Sequence, residues 1–264
     1  MFDQVASTYE AVGVPWFVPI AEGLVSRLAP APGERALDIG CGKGAATFAL
    51  ARSVGSSGHV TAIDLSSGMV EAARSEADRL GLTGVDWAVM DGSSPALPMS
   101  SFDLIASSLV LFFLPDPRAA LIAWNELLRP GGRLGVTTFG PRDPQWVTLD
   151  DVFTPYLPPQ MLDARTSGDS GPFSSDEGVE QLMAGAGFAE PSTSRFPVSV
   201  AFADVEGWAN WSRSHGQRAM WNAVPEAALA TVMAAASDVL DGCRTNDGSL
   251  VITQEIRVTT AIRG

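Results

Sequence analysis

The chain has 264 residues, 46% of them apolar and only 18% charged, which is enough to bury a sizeable core and too apolar for a disordered segment. The 30 Asp and Glu residues against 17 Lys and Arg leave a formal charge of −13, and no basic cluster interrupts it, which speaks against binding DNA or RNA. Cys41 and Cys243 lie far apart and form no CxxC pair, as expected of reduced thiols in a cytosolic protein. Residues 1–30 carry Asp3, Glu10 and Glu22 and lack the basic and apolar regions of a secretory signal. The longest apolar stretch, Leu104 to Leu114, is shorter than the about 20 residues that a membrane span needs. A cytoplasmic protein that contacts neither membrane nor nucleic acid is expected, with a homo-oligomer left open.

From residue 33 to residue 140 the sequence alternates between two kinds of segment. The β-type runs are Arg35–Ile39, His59–Ile63, Val85–Met90, Phe102–Ser107 and Arg133–Thr138. Between them lie stretches of helical period: Met69, Ala73, Ala77 and Leu80 share one face, as do Ala120, Ala123, Trp124, Leu127 and Leu128. Strand and helix in alternation imply a parallel sheet covered on both sides. The run Arg129-Pro130-Gly131-Gly132 predicts a turn before the fifth strand. Residues 141–174 are Pro-rich and read as loop and short irregular helix. A helix follows over Ser175–Ala186, capped by Ser174 or Ser175 and ended by Gly187, then a strand over Ser192–Phe202. Two helices are predicted over 204–222 and 225–241, and the last strand runs from Leu250 to Ile262. The expected fold is a Rossmann-like α/β domain. Its mostly parallel seven-stranded sheet has helices on both faces and a helical lid insertion before the last strand. The core of this single domain comprises 31–140, 175–203 and 248–264, with 1–30, 141–174 and 204–247 outside it.

The most informative stretch is Ala36-Leu37-Asp38-Ile39-Gly40-Cys41-Gly42-Lys43-Gly44. A strand leads through Asp38 into a loop with glycine at every second position, where backbone must turn sharply and approach a ligand closely. Such a loop at the carboxyl end of the first strand sits where open α/β sheets bind ligands. The spacing is G-x-G-x-G rather than the dinucleotide G-x-G-x-x-G, and a carboxylate precedes it. An anion there opposes a pyrophosphate but suits an amino-acid ammonium, which favours S-adenosylmethionine over NAD. Asp64 closes the second strand, where it can accept from both ribose hydroxyls. Asp91 closes the third and can accept from an adenine amino group. Asp also caps helices and fills turns, so each alone has that second meaning. Three successive strands ending in Asp point to one site.

With these residues in view, the chain resembles the class I S-adenosylmethionine-dependent methyltransferases, in particular the small-molecule group that includes ubiquinone/menaquinone-type methyltransferases. The resemblance rests on Phe2-Asp3-Gln4-Val5-Ala6 with Tyr9, Leu37 to Gly44, Asp64-Leu65-Ser66 with Met69, Asp91-Gly92, Phe102 to Ile105 and Leu128 to Gly132. It implies that Asp38 orders the methionyl end and that Gly40, Cys41, Gly42 and Gly44 supply the loop. It further places Asp64 on the ribose, Leu65 and Met69 beside the adenine, Asp91 and Gly92 at its edge, and Ser107 and Ser108 near the sulfonium. The departure is Phe112-Phe113, where many relatives place histidines; core or lid packing is their other meaning.

The acceptor is expected to be a small, hydrophobic molecule held by the segments outside the sheet. One of them gathers Trp208, Trp211 and Trp221 around His215, where an aromatic helical insertion would exclude water. His215 is the candidate general base, although a lone histidine also serves structure; His59 reads as a surface residue. Tyr9 and Tyr156 are further candidates for contacts in the cleft. No cluster of metal ligands stands out, so no metal is expected. Methyl transfer is an in-line displacement to which an enzyme contributes chiefly by positioning and drying. A protein of this fold that promotes cyclisation, a non-catalytic binding module and an NAD-dependent oxidoreductase are the rival readings.

Overall fold

The computed structural model describes residues 14–162, 168–215 and 217–264. The expectations for Phe2 to Ala6 and for Tyr9 lie outside them. A single seven-stranded sheet runs through the molecule in the order β3-β2-β1-β4-β5-β7-β6. Strands β1 (Arg35–Ile39), β2 (His59–Asp64), β3 (Val85–Val89), β4 (Phe102–Ser108) and β5 (Leu128–Phe139) pair in parallel. Strand β7 (Leu250–Arg263) runs antiparallel to both β5 and β6 (Phe188–Phe202). The chain order reverses between β1 and β4, the switch point at which open sheets of this kind place a ligand.

Alternation along the strands divides the apolar side chains between two faces. Ala36 of β1 with Leu104 and Ala106 of β4 packs under helices α1 (Phe17–Leu28) and α2 (Ala45–Val54). Leu37, Ile39 and Ile105 face the other way, into a core shared with Trp124 and Leu127 of α4 (Pro117–Leu127) and Val179 and Met183 of α6 (Asp176–Gly185). Helix α3 (Ser67–Arg79) starts at a Ser66 cap whose side chain accepts from the Met69 amide. Asp116 caps α4 ahead of Pro117, and Ser175, one of the two expected residues, caps α6.

Four boundaries differ from expectation. Residues 17–28, expected outside the sheet layer, form the core helix α1: Ile20, Leu24 and Leu28 are buried, and Gly135 of β5 makes room for Leu24 and Leu28. The run Arg129–Gly132 is absorbed into β5 as a bulge, because Leu128 pairs with Phe102 while Arg133 already pairs with Leu104; Gly131 supplies the positive φ of 75°. Strand β6 begins earlier, at Phe188, with a bulge between Ala189 and Ser192. The predicted helix 204–222 is two helices, α7 (Val205–Arg213) and α8 (Arg218–Ala223), followed by α9 (Leu229–Asp241). Helix α7 stops at Ser214, whose amide and Oγ both donate to the Trp211 carbonyl, with His215 Nδ1 2.7 Å from the same oxygen. The short α5 (Pro144–Asp151) packs on α9 and β7.

Candidate active site

The site grows from the end of β1. Asp38 is 1% exposed, and Thr47, in the first turn of α2, donates to its Oδ2 at 2.5 Å. Its other oxygen, Oδ1, is buried and has no hydrogen-bond partner among the described residues. Burial raises the Asp38 pKa to about 7, against the Thr47 hydrogen bond and with the help of the nearby Asp64 carboxylate. A buried carboxylate with an open acceptor atom suits a cation that carries its own N–H donors.

The loop after it is shaped by its glycines. Gly40 and Gly42 hold φ of 73° and 51°, and Gly44, at φ 91°, opens α2. The amides of Gly40 and Cys41 both donate to the Ile63 carbonyl, at 2.8 and 2.9 Å, which bends the chain over the end of β2. A Cβ at Gly40 would overlap the Val110 side chain, whereas one at Gly42 would meet no atom of the described residues within 4 Å. Among the described residues Gly42 thus has space beside it, as a cradle for a ligand requires. Cys41 is buried, and its thiol is pushed up by that burial and by the Asp38 and Asp64 carboxylates, which disfavours the thiolate.

Asp64 is itself part of the scaffold: Oδ2 accepts from the Gly42 amide and Oδ1 from the Ser66 amide, both at 2.8 Å. Leu65 beside it is 73% exposed, an apolar surface next to the site. Asp91 is exposed at the end of β3, where the Ser93 amide donates to it at 2.8 Å and lowers its pKa. Gly92 is held by Trp124, whose Nε1 donates to its carbonyl at 2.7 Å, and a Cβ there would meet Ile39 Cγ2 at 2.7 Å.

Three of the expected contact residues are already engaged within the protein. Met69 is 2% exposed, its side chain packed under α3. Ser107 is fully buried and donates to the Ile39 carbonyl at 3.0 Å, joining β4 to β1. The Ser108 hydroxyl is shared with Thr137 Oγ1 at 3.0 Å. Sequence reasoning in turn missed Thr47, Val110, Trp124 and Thr137. Of these only Thr47 left a signal, a hydroxyl three residues after the last glycine, in the first turn of the helix that faces Asp38.

His215 stands at the α7–α8 break, 6% exposed, stacked on Phe17 with ring centroids 5.6 Å apart and against Trp211 at 4.5 Å. Its Nδ1 lies 2.7 Å from the Trp211 carbonyl and 2.8 Å from Ser214 Oγ. Burial lowers its pKa; the Trp211 carbonyl opposes this, and Lys43 of the glycine loop adds its charge to the lowering. Burial and the Lys43 charge both disfavour a proton on this imidazole, which lies near the glycine loop. Trp16, Trp146 and Trp211 meet in a triangle with centroids 5.8 to 6.0 Å apart, which ties the start of α1, α5 and α7 together. A polar tie joins α5 to the start of α8: Asp150 of α5 accepts from Arg142 and, at 2.6 Å, from Gln217 Nε2. Phe112 packs on Phe139 and Phe173, its expected packing role, while Phe113 is 50% exposed. Tyr156 is half-buried at the edge of the core, and His59 pairs with Asp86 at 2.8 Å on β2 and β3.

The sheet's switch point, the glycine loop beside a buried carboxylate, and Asp residues at or just beyond the ends of three successive strands lie together on one side of the molecule. Residues 37–136 match the family model described as methyltransferase domain. Nocamycin O-methyltransferase of Saccharothrix syringae is 33% identical over 246 residues, 89% of this chain and 87% of that protein. The aklanonic acid methyltransferase of Streptomyces sp. strain C5 is 43% identical over 162 residues, 61% of this chain and 74% of that one. The solved YcgJ protein of Bacillus subtilis has the same fold, with a TM-score of 0.62 at 17% identity over 92% of this chain and 97% of the other. The chain belongs to the class I S-adenosylmethionine-dependent methyltransferases and is an enzyme that transfers a methyl group to a small molecule. Among the described residues no helix is long and apolar enough to cross a membrane.

Proposed function

We propose that the loop between β1 and α2 holds S-adenosylmethionine and that the methyl group passes to an oxygen of a small, apolar, acidic acceptor. The cofactor supplies an electrophilic methyl group on a sulfonium. The observation that carries the reading is that, among the described residues, Oδ1 of Asp38 has no partner and the space beside Gly42 in the glycine loop is unfilled. Asp38 receives the ammonium of the methionyl end. Asp64, fixed by the Gly42 and Ser66 amides, keeps a further lone pair on each oxygen for the ribose hydroxyls. Leu65 lies against the adenine, and Asp91 with the Gly92 backbone takes its edge.

Oxygen as the acceptor atom is supported by the relatives, one named an O-methyltransferase and the other for an acid. A carboxylate or acidic hydroxyl arrives already ionised, so the enzyme has no proton to remove. That suits a neighbourhood in which burial and the Lys43 charge lower the His215 pKa. The tryptophan triangle and the helices α7 to α9 form the apolar cover expected of a lid, and His215 serves as one of its packing residues rather than as a base. The test is turnover of methyl-labelled cofactor with an aromatic carboxylic acid, a phenol and an aromatic amine side by side. Label in an ester or ether, with one S-adenosylhomocysteine released per methyl, is expected. Label on the amine alone, or product without S-adenosylhomocysteine as a cyclisation would give, overturns the reading.

A further inference from the structure

The loop that leaves β4 carries an unusual backbone. Leu109 is not glycine, yet its φ is 57°, a left-handed conformation that costs energy unless its surroundings enforce it. Here they do. The Leu109 amide donates to two oxygens of one residue, Thr137 Oγ1 at 3.0 Å and the Thr137 carbonyl at 3.2 Å. The same hydroxyl is shared with Ser108 Oγ, and Thr137, paired with Ser108 across β4 and β5, is fully buried. The turn at Leu109 throws the next side chain, Val110, onto Gly40, where it occupies the space a Cβ would take. Ser107, two residues before Leu109, bonds the Ile39 carbonyl immediately ahead of Gly40. The end of β4 therefore presses on the cofactor loop at two points, and Thr137 fixes the stranger of the two.

We propose that Thr137 is a positioning residue for methyl transfer: its hydroxyl holds Leu109 left-handed, so that Val110 braces Gly40 and keeps the glycine loop in its ligand-ready shape. It touches neither cofactor nor acceptor and acts through Leu109 and Val110. Thr137→Val keeps the shape of the side chain and deletes the hydroxyl; Thr137→Ser keeps the hydroxyl. Val110→Ala removes the brace without touching Thr137.

The measurement is S-adenosylhomocysteine affinity by titration calorimetry on the folded full-length variants, with melting temperature recorded alongside. Thr137→Val is expected to raise Kd about fivefold or more, and Thr137→Ser to stay within about twofold of the wild type. Val110→Ala is expected to raise Kd in the same direction, and the double variant Thr137→Val/Val110→Ala to be no worse than the weaker single, because both sit on one path. A Thr137→Val protein that only melts earlier, with Kd unchanged, overturns the proposal, as do two effects on Kd that simply multiply. Should Thr137→Val fail to fold, Val110→Ala alone decides: an unchanged Kd removes the brace and the proposal with it.

Discussion

At the scale of single residues, Asp38 has two faces that one substitution separates. Its pKa of about 7 lies above the ordinary value, so the folded protein binds the proton more tightly than the unfolded chain. The stability this contributes is fully present below the unfolded value and is lost as pH rises through about 7. Asp38→Asn keeps an acceptor for Thr47 and removes the charge, so the free protein should gain stability at pH 8, by up to about 4 kcal/mol, and little at pH 4. Thermal melts at the two pH values check this, and equal shifts at both would contradict it. The same variant should lose the cofactor, since an amide N–H₂ replaces the acceptor that an ammonium needs. In the wild type, binding a cation beside Asp38 expels its proton, so cofactor affinity should rise from pH 6 to pH 8. Asp64→Ala should weaken S-adenosylhomocysteine at least about tenfold, about 1.4 kcal/mol. The loss now has two sources, because Asp64 also anchors the Gly42 amide. An unchanged dissociation constant in the folded variant would take Asp64 out of the site.

Elements were legible in proportion to how local their causes are. The strands of the cofactor half announce themselves by apolar runs ending in Asp, and the caps of α3, α4 and α6 stand in the sequence as Ser66, Asp116 and Ser175. Helix α1 has no side-chain cap and no motif, and its partners in β4 and β5 are distant in sequence, so nothing local marks it as core. Ser107 and Met69 lie on the expected elements but on inward faces, which strand register and helix packing decide. Gly42→Val separates loop shape from fold: its Cβ meets no atom of the described residues, yet by the proposed reading it fills the ligand's space, and it resists φ of 51°. Circular dichroism should stay near wild type while cofactor binding disappears; tight binding would mean that the loop opens elsewhere. At the end of α7, His215→Gln loses the stack between Phe17 and Trp211, so stability and acceptor KM should suffer while kcat stays within about threefold. A fall in kcat of about 100-fold or more with KM and cofactor affinity unchanged would restore His215 as the base.

For the whole molecule, the division of labour follows the chain. By the proposed reading the cofactor residues come from β1, β2, β3 and the loops that follow them, held by β4 and β5, and the cover is assembled from the start of α1, from α5 and from the helices inserted before β7. These segments meet at the indole triangle of Trp16, Trp146 and Trp211 and at the Arg142–Asp150–Gln217 tie, among other contacts. This assembly was invisible in the sequence because its members are separated by whole elements, and only the clustering of tryptophans near His215 hinted at it. If the cover acts on the acceptor alone, damage to it should spare the cofactor. Trp146 contributes an 8% exposed indole to the triangle and touches none of the glycine loop's hydrogen bonds. Trp146→Ala should destabilise the protein by about 3–5 kcal/mol, the usual loss for a buried tryptophan. In a chain of this size that lowers the melting temperature by about 2–4 °C per kcal/mol. Measured below that melt, S-adenosylhomocysteine Kd should stay within about threefold of wild type while acceptor KM rises about tenfold or more. A parallel loss of both affinities would mean that the cover and the cofactor loop form one cooperative unit, linked through the Phe17–His215 stack and Lys43 rather than divided between two ligands.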